Sequence, residues 1–198
     1  MTSEIDTFSK IKLTALILFN EKGYYATTTR EIANEVGIKS STLYFYFKSK
    51  EEIFFTLYRD ARELFDKNRH AGLDEITDGS IEEQLYVLFS ISMELFTEHN
   101  LYCKFLYRYL IYPVHGIQDK IKVELEEWKN IATKHVYDLF YRGMQQGLFK
   151  NLSVDNLVRT FYRNQNGYTY ELITGDKIPS KEEIDEVWKI YWDSIKAQ

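Results

Sequence analysis

Apolar residues recur along this chain at three- and four-residue spacing, and no strand-type alternation is sustained. Phe8, Ile11, Ala15, Leu18 and Phe19 form a first stripe, which predicts a helix over about 6–22 that Gly23 ends. A short helix over 29–35 follows, Gly37 turns the chain, and a second short helix covers 40–47. The next runs over 50–70 with Ile53, Leu57, Ala61 and Leu64 inward, and Gly72 and Asp78-Gly79 mark a loop after it. Five more helices are predicted: 81–99, one that Pro113 stops near Tyr112, 117–146, 154–173 and 181–196. A break is expected near Asn100. Four starts carry S/T-x-x-E boxes, at Thr28/Glu31, Ser49/Glu52, Ser80/Glu83 and Ser180/Glu183, in which two side chains satisfy free backbone amides. The predicted fold is all-α. A three-helix helix-turn-helix domain over 1–50 precedes a six-helix domain over 51–198, joined through one continuous helix.

The third short helix raises a question of chemistry. On a helical wheel, Leu43 and Phe47 fall together and pack inward, while Ser41 and Phe45 point the other way, with Thr42 and Tyr44 beside them. An outward ring among hydroxyls suits a major groove, where hydroxyls bond base edges and a ring meets a thymine methyl. Tyr44 and Tyr46 can offer phenol groups to phosphate oxygens, and Lys48 and Lys50 stand at a helix start that favours an anion. By periodicity alone, an aromatic cluster buried on a neighbouring helix fits as well.

Charge sharpens this only slightly. The 198 residues carry a net −5, yet residues 1–50 hold seven Lys/Arg against five Asp/Glu, so an acidic body follows a mildly basic start. One cysteine, Cys103, excludes an intramolecular disulfide framework and fits a reducing compartment. The run "IKLTALILF" is too short to span a bilayer and lacks a small-residue cleavage site, so a cytoplasmic protein without a membrane partner is expected.

The stretch "LFNEKGYYATTTREIANEVGIKSSTLYFYFKSKEEIF" resembles the N-terminal signature of the TetR family of transcriptional repressors. The matching features are Leu18-Phe19, Gly23-Tyr24, Thr28-Thr29, Ile32-Ala33, Gly37, Leu43-Tyr44, Phe47 and Ser49-Lys50-Glu51. Beyond them only the layout matches, including "GLF" before the penultimate helix. The resemblance implies a homodimer that binds palindromic double-stranded operator DNA and lets go when a small-molecule effector enters the C-terminal domain. It implies DNA contacts from Thr29, Ser40, Ser41, Thr42, Tyr44, Phe45, Tyr46 and Lys50, with Arg30 and Lys39 as further phosphate contacts or solvated surface charge. Ser41 stands where the family often has Gly, Tyr46 where it often has His, and Ser40 where it often has a longer polar side chain. These departures bear on the operator sequence read.

The long helices are read as pocket and seam. His135 and Gln165 interrupt otherwise apolar faces, so each either orients a ligand or is a satisfied core group. With Phe89, Met93, Phe105, Tyr109, Trp128 and Phe161 they make the expected effector site, for a small hydrophobic or aromatic molecule, flat or cationic. Ordinary core packing explains the same rings. The family layout puts the dimer seam on the last two helices, at Tyr168, Leu172, Ile184, Trp188 and Tyr191.

Nothing in the sequence supports an enzyme. P-loop, G-x-G-x-x-G, G-x-S-x-G and H-E-x-x-H motifs are missing, and no cofactor is implied. His99 and Cys103, four apart, are read as structural and not as metal ligands. The alternative to a regulator is a helical protein-interaction module that keeps the fold without reading DNA.

Overall fold

Local caps set the helix starts. The computed structural model describes residues 6–76, 78–112, 114–175 and 179–197. Among these lie eight helices: α1 Thr7–Ala26, α2 Thr29–Val36, α3 Ser40–Tyr46, α4 Lys50–Asp74, α5 Ile81–Ile111, α6 Gln118–Gln145, α7 Val154–Thr174 and α8 Lys181–Ile195. The boxes at Ser80/Glu83 and Ser180/Glu183 close in both directions. Those at Thr28 and Ser49 close in one, because Glu31 turns to Lys22 and Glu52 turns to the Lys48 amide at 2.6 Å.

Nine helices were expected. The fifth and sixth are one helix, α5, bent at His99, where φ −132° and ψ 39° leave the helical region one residue before the expected break. Pro113, the expected stop, lies outside the described residues. Gly23 interrupts α1 with φ 81°, a conformation glycine adopts without strain.

Two compact units divide the chain: Met1–Glu63 with His99–Asp119, and Leu64–Glu98 with Lys120–Gln198. Both α4 and α5 run from one unit into the other. The expected boundary at residue 50 follows role, whereas compactness divides the chain elsewhere.

In the first unit, Ile11, Ala15, Phe19, Ile32, Ala33, Leu43 and Phe54 are wholly buried. The second half of α5 completes this core, with Phe105 and Tyr109 ring-to-ring on Phe54 at 5.2 and 4.8 Å. Polar side chains secure it. Arg108 Nη1 donates to the Asn20 carbonyl at 3.0 Å, Tyr109 Oη to that of Phe19 at 3.2 Å, and Asn20 Nδ2 to that of Leu101 at 2.9 Å. The Phe19 and Asn20 carbonyls lie in the turn of α1 just before its interruption at Gly23.

The second unit is built on Phe89, Phe140, Phe161, Trp188 and Tyr191, all buried. Gln165 joins α7 to α5, donating from Nε2 to the Leu88 carbonyl at 2.8 Å and that of Phe89 at 3.3 Å. Between α6 and α7, Phe149 pairs with Lys196 in an isolated antiparallel bridge, with Lys150 N to Ile195 O and Ala197 N to Leu148 O both at 2.9 Å. Gly143 leaves room for the Phe149 ring, which a Cβ there would strike.

Candidate nucleic-acid interface

Helix α2, the turn at Gly37 and α3 form the helix-turn-helix. Gly37 sits at φ 78°, ψ 30°, the left-handed conformation that closes α2 with amide bonds from Gly37 to Asn34 and from Ile38 to Ala33. Leu43 is wholly buried and Phe47 nearly so, which fixes the roll of α3. Its opposite side is bare. Phe45 is 83% exposed, Tyr44 50% and Tyr46 36%, and Ser40, Ser41 and Thr42 are exposed beside them. The outward aromatic reading of α3 therefore holds over the buried cluster.

The ring row is ordered from within. Phe8 of α1 stacks on Phe47 at 5.0 Å and meets Tyr46 at 6.3 Å, and Tyr46 meets Phe45 edge-on at 5.3 Å. The Tyr44 phenol shares a 3.0 Å hydrogen bond with Thr29 Oγ1, tying the start of α2 to α3. Thr29, half-buried, thus stands at the edge of the same surface.

Lys50 differs from the rest. Its ammonium donates to the carbonyls of Tyr24 and Thr27 at 2.7 and 2.8 Å and lies 4.4 Å from the centre of the Tyr24 ring. Burial holds its pKa below the usual lysine value. The expected phosphate ligand is therefore turned inward, bracing the turn from which Thr29 projects. Lys48, Lys39 and Arg30 are exposed.

The expected effector residues divide between the two units. Phe105 and Tyr109 belong to the core of the first unit, because α5 changes partners at His99. The other six lie in the second unit. Phe89, Met93 and Phe161 are buried, and Gln165 is a satisfied core group. Trp128 Nε1 donates to Asp66 Oδ1 at 3.1 Å and its ring meets Phe65 edge-on. His135 lines an open recess of about 480 Å³ with Asp138, Leu139, Tyr141 and Arg142.

Four of the expected seam residues are likewise covered by the chain itself. Leu172, Ile184, Trp188 and Tyr191 are buried, Tyr191 stacks on Phe89 and Trp188 meets it tilted, and Tyr168 is half-buried. The apolar stripe of α8 faces its own core, leaving Tyr170 of α7 58% exposed and Ile190 of α8 66% exposed. Sequence reasoning also passed over Arg69 and Arg142. Arg69 falls four residues after buried Phe65, and a charge continuing an apolar stripe was the available signal.

Comparison with known proteins bears directly on this surface. Residues 13–57 match the family described as "Bacterial regulatory proteins, tetR family". Similarity extends further with the HTH-type transcriptional repressor KstR2 of Mycobacterium tuberculosis, 33% identical over 159 residues, 76% of this chain and 72% of that one. The chain belongs to the tetR family. It is a DNA-binding transcriptional regulator with a helix-turn-helix. The biofilm operon negative regulator IcaR of Staphylococcus epidermidis is 25% identical over 185 residues, 92% of this chain and 97% of its own. Among solved structures, KstR2 aligns with a TM-score of 0.74 at 23% identity, covering 99% and 98% of the two chains. The fatty acid degradation regulator FadR of Bacillus halodurans aligns at 0.71 with 15% identity, covering 96% and 97%. These two likenesses speak to the tetR fold alone. Among the described residues no helix is long and apolar enough to cross a membrane.

Proposed function

We propose that this tetR-family protein is a repressor that binds palindromic operator DNA as a homodimer and leaves it when a small molecule binds. The observation that carries the reading is the bare α3 surface: Phe45, 83% exposed, sits among hydroxyls on a helix whose other side is buried. Residues 1–50 act on DNA, and 51–198 take up effector and partner. Ser40, Ser41, Thr42 and Phe45 enter the major groove, Thr29, Tyr44 and Tyr46 reach the flanking phosphates, and Lys39, Lys48 and Arg30 add charge. Lys50 contributes by holding the start of α2 in place. The printed roles of KstR2 and IcaR, a repressor and a negative regulator, support repression.

The seam between two copies falls on the outward faces of α7 and α8, around Tyr170 and Ile190, forming a four-helix bundle with the second copy. Two recognition helices then stand about 34–36 Å apart, one turn of DNA. An effector binds better to a conformation in which that spacing is wrong. A preference of about 100-fold per dimer shifts the population by roughly 2.7 kcal/mol.

Mobility shift of the purified protein on the DNA upstream of its own gene tests this. A complex at nanomolar protein, competed by the specific sequence and not by bulk DNA, supports it. A monomer with equal weak affinity for every sequence leaves the interaction-module reading instead.

A further inference from the structure

Among the described residues, the recess on α6 keeps one positive charge, that of Arg142, which no acid beside it offsets. His135 and Arg142 line it, and Arg142 is held from the first turn of α5 by a 3.3 Å bond from Nη2 to Gln84 Oε1, a neutral partner. Arg69 of α4, with a side chain only 13% exposed, binds Asp66 Oδ1 at 2.9 Å, but that oxygen also accepts from Trp128. The Arg69 Nε–H is buried with no acceptor among the described residues. Asp138, the acid lining the recess, is bound to Lys134 at 2.8 Å. His135 registers the imbalance: burial lowers its pKa first, and Arg69, Arg142 and His70 lower it further, with only Asp138 opposing. A buried guanidinium N–H without an acceptor is costly unless something supplies one, and the exposed Arg142 adds a positive charge whose described partner is neutral. Leu139 and the Tyr141 ring give the same recess an apolar wall.

We infer that the effector is an amphipathic organic anion, its carboxylate or phosphate held by Arg142 and Arg69 beside His135 and its apolar body lying against Leu139 and Tyr141. The inference rests on the effector reading above and reverses the cationic preference that the abundance of rings suggests. Guanidinium groups suit such a head because their planar fork offers two parallel N–H bonds to one carboxylate or phosphate.

Three decyl compounds at equal submicellar concentration test it by calorimetry on the full chain: decanoate, decanol and decylamine, with decyl phosphate to separate the two anionic heads. Decanoate or decyl phosphate is expected to bind at least tenfold more tightly than decanol, and decylamine more weakly than either anion. In Arg142→Gln, whose exposed position leaves folding intact, the anion advantage falls about tenfold while decanol is unmoved. Arg69→Lys serves as the milder second variant and loses part of the same advantage. Equal affinity for all heads, preference for decylamine, or an unchanged anion advantage in both variants overturns the inference. Mobility shift with the same compounds separates the two readings. Anion binding that leaves DNA affinity unchanged supports the anion site and sinks its role as effector site. Release of DNA by decylamine or decanol alone keeps effector control and overturns the anion.

Discussion

Phe45 is a ring kept in water while its neighbours Leu43 and Phe47 are buried, and its edge-on contact with Tyr46 lies on the surface. Phe45→Ala is therefore expected to leave thermal stability within about 0.5 kcal/mol of the parent, as surface changes do, while operator affinity in a mobility shift falls tenfold or more. Lys50→Met should behave differently. It strips two carbonyls of a charged donor, so urea denaturation should show a loss of about 1–3 kcal/mol, with weaker DNA binding as a consequence. Both residues stand in the signature stretch, yet only Phe45's outward facing was legible there. A 100° turn per residue reveals which side of a short helix faces out, but Lys50's partners lie 26 and 23 residues earlier, beyond any local pattern. Cys103 gives a pH test. Burial pushes its thiol up to about 12 from an ordinary 9.0. Above pH 9 the unfolded chain gives up a proton that the folded chain keeps, so stability falls as pH rises, by up to about 1.4 kcal/mol per unit. Urea midpoints between pH 8 and 11 should fall less steeply in Cys103→Ala.

Helix starts were legible because a cap is a contact between residues three apart, and Asp6, Thr28, Ser49, Ser80, Ser153 and Ser180 all accept such an amide. What covers a helix was not. The stripe Ile184, Trp188, Tyr191 reads identically whether it meets Phe89 in its own chain or a second copy, and periodicity names the face without naming its partner. Phe105 and Tyr109 posed the same difficulty: their facing was clear, but the bend at His99 that commits them to the first unit was visible only as a break. The "GLF" segment shows its purpose once folded. Phe149 lies over Gly143 and its strand-like backbone bonds to the end of the chain. Gly143→Ala should lower stability by about 1–3 kcal/mol through overpacking, despite the higher helix propensity of alanine. A thermal melt decides whether the clash or the propensity wins.

For the molecule as a whole, the acidic body makes the charge at the DNA surface local, not global. Neutralising about six phosphates per dimer predicts a slope of roughly −5 in log K against log salt, and a salt-independent affinity would contradict the DNA reading. The all-α architecture was legible because the helices announce themselves by period, although the expected fifth and sixth are the single bent helix α5. Which residues share a unit was not, because α4 and α5 each belong to both. That shared membership sets what a substitution scan along α5 will report. Up to Phe96, replacements of inward residues should register as lost stability in the half that holds α7 and α8. From Cys103 onward, the same kind of replacement should register as lost stability in the unit that holds α1, α2 and α3. One helix thus answers to two assays, and the readout is expected to change hands near His99.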